Sequence, residues 1–161
     1  MNVAYGELAE RIRGELSELE RVIRRSQDSW ARVSNTSESA AAYLDSVALG
    51  LHGLYTGLEK LFALIASEVD RQVPAGANWR RDLLRQLAED RAIRPAVIGA
   101  STVSSLDELR RFRHLVRNAY NLELVPERVA VLMEGLAEKW AILRAELDAF
   151  AAFLESMADE R

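Results

Sequence analysis

The sequence predicts an all-α fold, an antiparallel bundle of about five helices. Three observations carry that expectation. Apolar residues recur at spacings of three and four along most of the chain. Only 8 Gly and 3 Pro punctuate 161 residues, too few for a protein built on many tight β-turns. No alternating strand pattern, internal repeat or low-complexity tract interrupts the helical period. The length suits one domain over residues 1–161, and 49% apolar with 29% charged residues is a globular composition.

The first helix is expected from about Val3 to Val33. Leu8, Ile12, Leu16, Leu19, Val22 and Ile23 form its apolar stripe, and Glu7–Arg11 and Glu20–Arg24 are i,i+4 pairs on the other face. Ser34-Asn35-Thr36-Ser37 reads as a polar turn with N-cap chemistry. A second long helix follows from about Glu38 to Val73. Its stripe, from Tyr43 and Leu44 through Leu51, Tyr55 and Phe62 to Ile65, is wide enough for a central helix packed on more than one side. Gly50, Gly53 and Gly57 lie inside it. Each costs roughly 1 kcal/mol against Ala, so close approach of a neighbouring helix is the expected compensation. Pro74-Ala75-Gly76-Ala77 should end this helix.

Asn78 is a fair N-cap for a short third helix through about Asp90. Ile93 to Gly99 reads as an extended connection, because Pro95 disfavours helix before it. Ser105-Leu106-Asp107-Glu108 has the form of a capping box, so the fourth helix is expected to start there and run to about Leu122. Pro126 then sits at the first turn of a fifth helix, which continues to near the C-terminus through Trp140, Leu147 and Leu154.

Composition removes whole classes of chemistry. Without Cys there is no disulfide scaffold, no thiolate zinc site and no cysteine nucleophile. With His52 and His114 as the two histidines, a three-histidine metal site within one chain is excluded. The net charge of -4 does not advertise a nucleic-acid binder. Yet of 21 basic residues all but Lys60 and Lys139 are Arg, the side chain suited to bidentate phosphate recognition and also the one a GC-rich genome favours. No signal-peptide or membrane-spanning run is present, so a cytoplasmic protein is expected, without membrane association.

The fourth helix gathers the candidate chemistry. On a helical wheel Leu109, Phe112, Leu115, Val116, Ala119 and Leu122 fall on one side. Arg110, His114, Arg117 and Asn121 fall opposite. Arg113 and Tyr120 flank that strip on one edge, Arg111 and Asn118 on the other. Such local charge needs carboxylates or a polyanion to meet it. One reading is a solvated face paired with Asp or Glu of a neighbouring helix. The other uses His114, the residue of this strip that titrates near neutral pH, as a general base on a ribose 2′-OH. The arginines would then hold the phosphate and stabilise its added charge, with no metal or other cofactor required.

The string Arg113-His114-Leu115-Val116-Arg117-Asn118-Ala119-Tyr120 resembles the motif of the HEPN superfamily, and more closely that of the HepT-like ribonuclease toxins. In that family the motif reads Arg, four residues, His, one residue, Tyr, with Asn commonly after the Arg. The stretches LHGLYTGLEKLFALIASEVD, NWRRDLL and LRRFRHLVRNAY extend the resemblance over about Tyr43 to Leu124. Arg113 and Tyr120 fall on the family's Arg and Tyr. The His and Asn are exchanged: Asn118 holds the family's His position and His114 its Asn position. The exchange keeps both on roughly one side of the helix but moves the imidazole about 6 Å along the axis.

The resemblance implies a HEPN-like domain acting as a homodimer, with motifs from two copies lining one cleft. It also implies RNA as the substrate and a nucleotidyltransferase antitoxin as partner, which modifies the motif tyrosine, here Tyr120, with AMP. On this reading Arg113, His114 and Asn118 are the catalytic candidates, and Arg110 and Arg117 the phosphate ligands. A non-catalytic HEPN-like protein that binds a nucleotidyltransferase or RNA is the alternative, with Asn118 marking a lost site. A plain helical interaction protein is a third. Among the other residues, His52 is expected as a structural histidine or a support for the cleft, and Glu59 as the partner of a fourth-helix arginine. Trp79 is expected to cap the core or to stack a base, and Tyr43 and Tyr55 to be core.

Overall fold

The computed structural model describes residues 3–35, 39–118 and 124–160, the side chains of residues 34, 35, 117 and 118 excepted. Within these residues lie six helices: α1 (Val3–Asn35), α2 (Ala40–Ile65), α3 (Trp79–Leu87), α4 (Ala100–Asn118), α5 (Pro126–Met133) and α6 (Leu136–Asp159). Among the described residues there is no strand, only an isolated bridge between Arg91 and Arg94. The all-α bundle is therefore the fold.

α1 packs antiparallel on both α2 and α6. Along the α1–α2 seam, Ser29 meets Ser46 at 3.1 Å and Arg32 donates to the Tyr43 hydroxyl at 3.2 Å. A Cβ on Gly50 would overlap Ser26 Oγ, and one on Gly57 would come within 2.8 Å of Leu19 Cδ2. Those two glycines admit α1, as the close-approach argument requires; Gly53 faces open space and does not. Along the α1–α6 seam, Arg13 pairs with Glu155 and Arg144 with Glu20. α2 is buried along most of its length, from Leu44 through Tyr55 and Phe62 to Ile65. Tyr43 is half-buried, its ring under the Arg32 guanidinium, and is not core.

Four boundaries differ from the sequence expectation, each for a physical reason. α2 does not reach Val73. It widens into a π-helical turn, Ala66–Asp70, and stops at Arg71, whose φ of 57° is left-handed. The stop is held by Asp70, which is drawn into an ion pair with Arg94. α3 ends at Leu87 instead of Asp90, where the loop backbone folds back and Val97 N–H donates to the Leu87 carbonyl at 2.8 Å. α4 begins at Ala100, more than a turn before the expected capping box. Glu146 of α6 accepts from the Gly99 N–H and the Thr102 hydroxyl, so a distant carboxylate caps the helix. Ser105 accordingly bonds back to the Ser101 carbonyl inside the helix. Finally, the expected fifth helix is two helices. Gly135, at φ 68°, breaks the run between α5 and α6. Of the expected turn Ser34–Ser37, Ser34 and Asn35 instead end α1, and residues 36 and 37 lie outside the described residues.

The loop from α3 to α4 is fastened by a closed polar cluster. Asp70 accepts from Arg94 Nε at 2.6 Å and NH2 at 2.7 Å, and from Gln86 at 2.7 Å. The other Arg94 donors reach the carbonyls of Glu89, Pro95 and Gln86. This fixes α3 against the end of α2 and presents its first turn to α4.

Candidate functional site

α4 lies on α2 through Leu106, Leu109 and Phe112, all buried. That packing places Arg113 at the α2–α4 junction. Its Nε donates to Thr56 Oγ1 at 3.2 Å, and the side chain is half-buried. Next in sequence, His114 is exposed. Nearly two turns before them, Asp107 holds two guanidiniums, Arg110 Nε at 2.8 Å and Arg111 Nη2 at 2.9 Å. Burial of Asp107 opposes its ionisation. The Arg110 hydrogen bond and the charges of Arg110, Arg111 and Arg81 outweigh that and hold the carboxyl below its ordinary range.

Behind this row stands a second one on α3. Glu59 of α2, buried, pairs with Arg80 Nε at 2.6 Å. The expectation of a fourth-helix partner for Glu59 is thus corrected: the cation comes from α3, whose first turn abuts that stretch of α2. Arg80 also lies over the Trp79 ring at 4.4 Å. Trp79 is half-buried against the core, so one of its faces is already occupied by a guanidinium. Tyr55 is core, as expected. Burial pushes its phenol up, the Glu59 charge adds to this, and Arg110, Arg80 and Arg113 pull the other way. Five arginines of α3 and α4, Arg80, Arg81, Arg110, Arg111 and Arg113, therefore surround the two carboxylates Glu59 and Asp107.

A model of the HepT-like protein family matches residues 46–154. The chain belongs to the HepT-like family. Searches of curated proteins and of solved structures gave no match. The HepT-like region runs from within α2 into the last turns of α6 and so contains the whole α2–α3–α4 junction. It reaches further toward the C-terminus than the motif resemblance, while α1 lies outside it.

Of the sequence-predicted site residues, Arg110, Arg113 and His114 share the exposed end of α4, with Arg110 tied to Asp107 and Arg113 to Thr56. The backbone of Arg117 and Asn118 completes the helix, and their side chains lie outside the description, as do Tyr120 and Asn121 entirely. His52 is half-buried one turn before Thr56 on α2. Leu115 departs from its expected place on the apolar side. It is 47% exposed and lines a shallow groove with Phe112, Val131 and Arg128.

Sequence reasoning missed Thr56 and the role of Asp107. The Asp107 pairing has a local signal, since it lies i,i+3 and i,i+4 from its two arginines. Thr56 has none, because the residue that it holds is far along the chain.

Proposed function

We propose that this HepT-like protein is an endoribonuclease toxin of a toxin–antitoxin pair, cleaving RNA without a metal at a cleft shared by two copies. The observation that carries the reading is Arg113. Among the described residues its hydrogen-bond partner is a neutral hydroxyl instead of a carboxylate, and His114 stands exposed beside it. A guanidinium aimed by a hydroxyl keeps its full charge for an anion. The His114 imidazole takes the proton from a ribose 2′-OH, whose oxygen attacks the adjacent phosphorus. The 5′ oxygen leaves with a proton, and a 2′,3′-cyclic phosphate remains. Arg113 stabilises the charge added to the phosphate in the transition state. Asn118 lies one turn beyond His114 and would assist. Arg110, with Nε on Asp107, offers its terminal amino groups to a flanking phosphate, and Arg117, one turn after Arg113, is the second phosphate ligand of this reading.

Adjacent helix residues point about 100° apart, so one copy presents a thin site. Two copies facing across a two-fold axis make a cleft, and a dimer by solution scattering is expected. A nucleotidyltransferase antitoxin would add AMP to Tyr120, bringing negative charge that repels RNA; mass spectrometry after incubation with ATP and that partner reads the adduct.

The deciding experiment incubates RNA with the parent and with His114→Ala in the presence of EDTA. The parent should cleave. The variant should not, with its helicity by circular dichroism unchanged. Equal rates would refute the histidine mechanism. The second reading, a HEPN-like protein that binds without cleaving, is favoured by Asn118 at the family's His position. It would replace the first if the parent binds RNA or the nucleotidyltransferase but leaves RNA intact, and Asn118→His would then be expected to gain cleavage.

A further inference from the structure

We infer that α3 carries a second phosphate-binding row, Arg81 and Arg85, which continues the α4 row and lengthens the stretch of single-stranded RNA held outside the cleavage point. This inference rests on the RNA-cleaving reading above and adds to it where the rest of the substrate runs.

Three observations carry it. First, α3 packs against α4 and its first turn carries the exposed Arg81 on the side of Asp107, the carboxylate that holds Arg110 and Arg111, so the basic rows of the two helices are neighbours. Second, the neighbouring arginines are visibly consumed by structure. Arg80 is paired with Glu59 and laid on Trp79, while Arg91 and Arg94 are paired with Asp70. Arg81 and Arg85 are exposed, i,i+4 apart, on the side of α3 away from buried Leu83, Leu84 and Leu87, and neither makes an ion pair among the described residues. Third, Arg81 sits in the first helical turn, at the positive end of the helix dipole, where a cation costs stability. Asp82 in that turn complements the dipole; Arg81 opposes it. A cation placed against the dipole and beside other cations is explained by an anion arriving from outside.

The test uses the full-length parent, the Arg81→Ala/Arg85→Ala double variant, and a charge-matched control, Arg11→Ala/Arg25→Ala, two exposed arginines of α1. Binding is measured with a long 2′-O-methyl oligoribonucleotide, which cannot be cleaved, over a range of salt. Cleavage is measured on a long RNA and on a dinucleotide. The double variant should bind the long probe more weakly, with the slope of log affinity against log salt reduced by about 0.7 for each arginine removed. Its loss in kcat/KM should be larger for the long RNA than for the dinucleotide. Affinity and slope equal to the parent's would overturn the inference. So would an equal loss in the control, which would mean bulk charge alone, or an equal loss on both substrates, which would mean structural damage. A parent that cleaves but shows any of these results sinks this inference and leaves the functional reading standing. A parent that neither binds nor cleaves RNA sinks both.

Discussion

Two constellations of arginine and carboxylate flank α3, one at each end, and they differ in how far they are closed. At the Asp70 cluster the side chains of Asp70 and Arg94 are both 0% exposed. The pair is bidentate, and the remaining Arg94 donors end on backbone carbonyls. At the Asp107 cluster one carboxylate serves Arg110 and Arg111, feels Arg81 as well, and leaves Arg113 to the Thr56 hydroxyl. Cation there exceeds anion, at the surface. The same residue types thus stand in opposite states: a satisfied guanidinium fixes a loop, and on the reading proposed above an under-neutralised one is kept for an anion.

The sharpest way to break this comparison is a pair of single variants with opposite expected outcomes. Arg113→Ala should slow RNA cleavage by about 10²–10³-fold, the scale of losing one preorganised charge-stabilising donor. Its stability by urea unfolding should change by no more than about 1 kcal/mol, the worth of one ordinary hydrogen bond. Arg94→Ala should cost about 3–5 kcal/mol of stability, because it leaves Asp70 buried without its partner. The fraction that stays folded should cleave at nearly the parental rate. If Arg113→Ala destabilises as much as Arg94→Ala, the two clusters are both structural and the comparison fails.

Acid sharpens the same contrast. Burial raises the Asp70 carboxyl, but hydrogen bonds from Arg94 and Gln86 and the charges of Arg94 and Arg91 outweigh it, so its pKa in the folded protein is depressed. A depressed carboxylate contributes stability that is fully present above its unfolded value, about 3.9 for Asp. That contribution is lost as pH falls through the lower, folded value. Unfolding free energy should therefore hold steady above about pH 5 and fall steeply below about pH 4. Asp107 is depressed too, yet it is partly exposed and screened. Asp70→Asn should flatten the acid slope more than Asp107→Asn. The opposite ranking, by denaturant titration at several pH values, would place the closed cluster at the wrong end of the molecule.

How much of this was legible beforehand depends on how far apart the partners lie in sequence. Gly50 and Gly57 announce the α1–α2 seam because their spacing within an apolar stripe is a local pattern. The start of α4 is illegible locally, because the carboxylate that caps it, Glu146, lies 47 residues from Gly99. The break at Gly135 is hidden by an apolar period that carries on through both α5 and α6. In the site, Arg113 and His114 are visible as a motif and Asp107 as a helix-spaced pair. Glu59 was legible as half of an ion pair but not its partner, since only the packing of α3 on α2 selects Arg80 over an arginine of α4.

Thr56 offers the finest test of the open cluster, because it separates aim from charge. Its hydroxyl lies 57 residues from Arg113 in the chain and gives the guanidinium a direction without neutralising it. Thr56→Val preserves shape and removes the acceptor. The lost bond is worth roughly 1 kcal/mol, and a looser Arg113 should lower kcat by about fivefold to tenfold while KM moves little. Thr56→Ser restores the hydroxyl and should recover most of kcat. A purely structural Thr56 would give a different pattern, with both variants following stability and neither the kcat-against-KM split nor the rescue by Ser. If Thr56→Val leaves kcat untouched, Arg113 takes its aim from elsewhere, and the hydroxyl-directed guanidinium ceases to be what distinguishes the open cluster from the closed one.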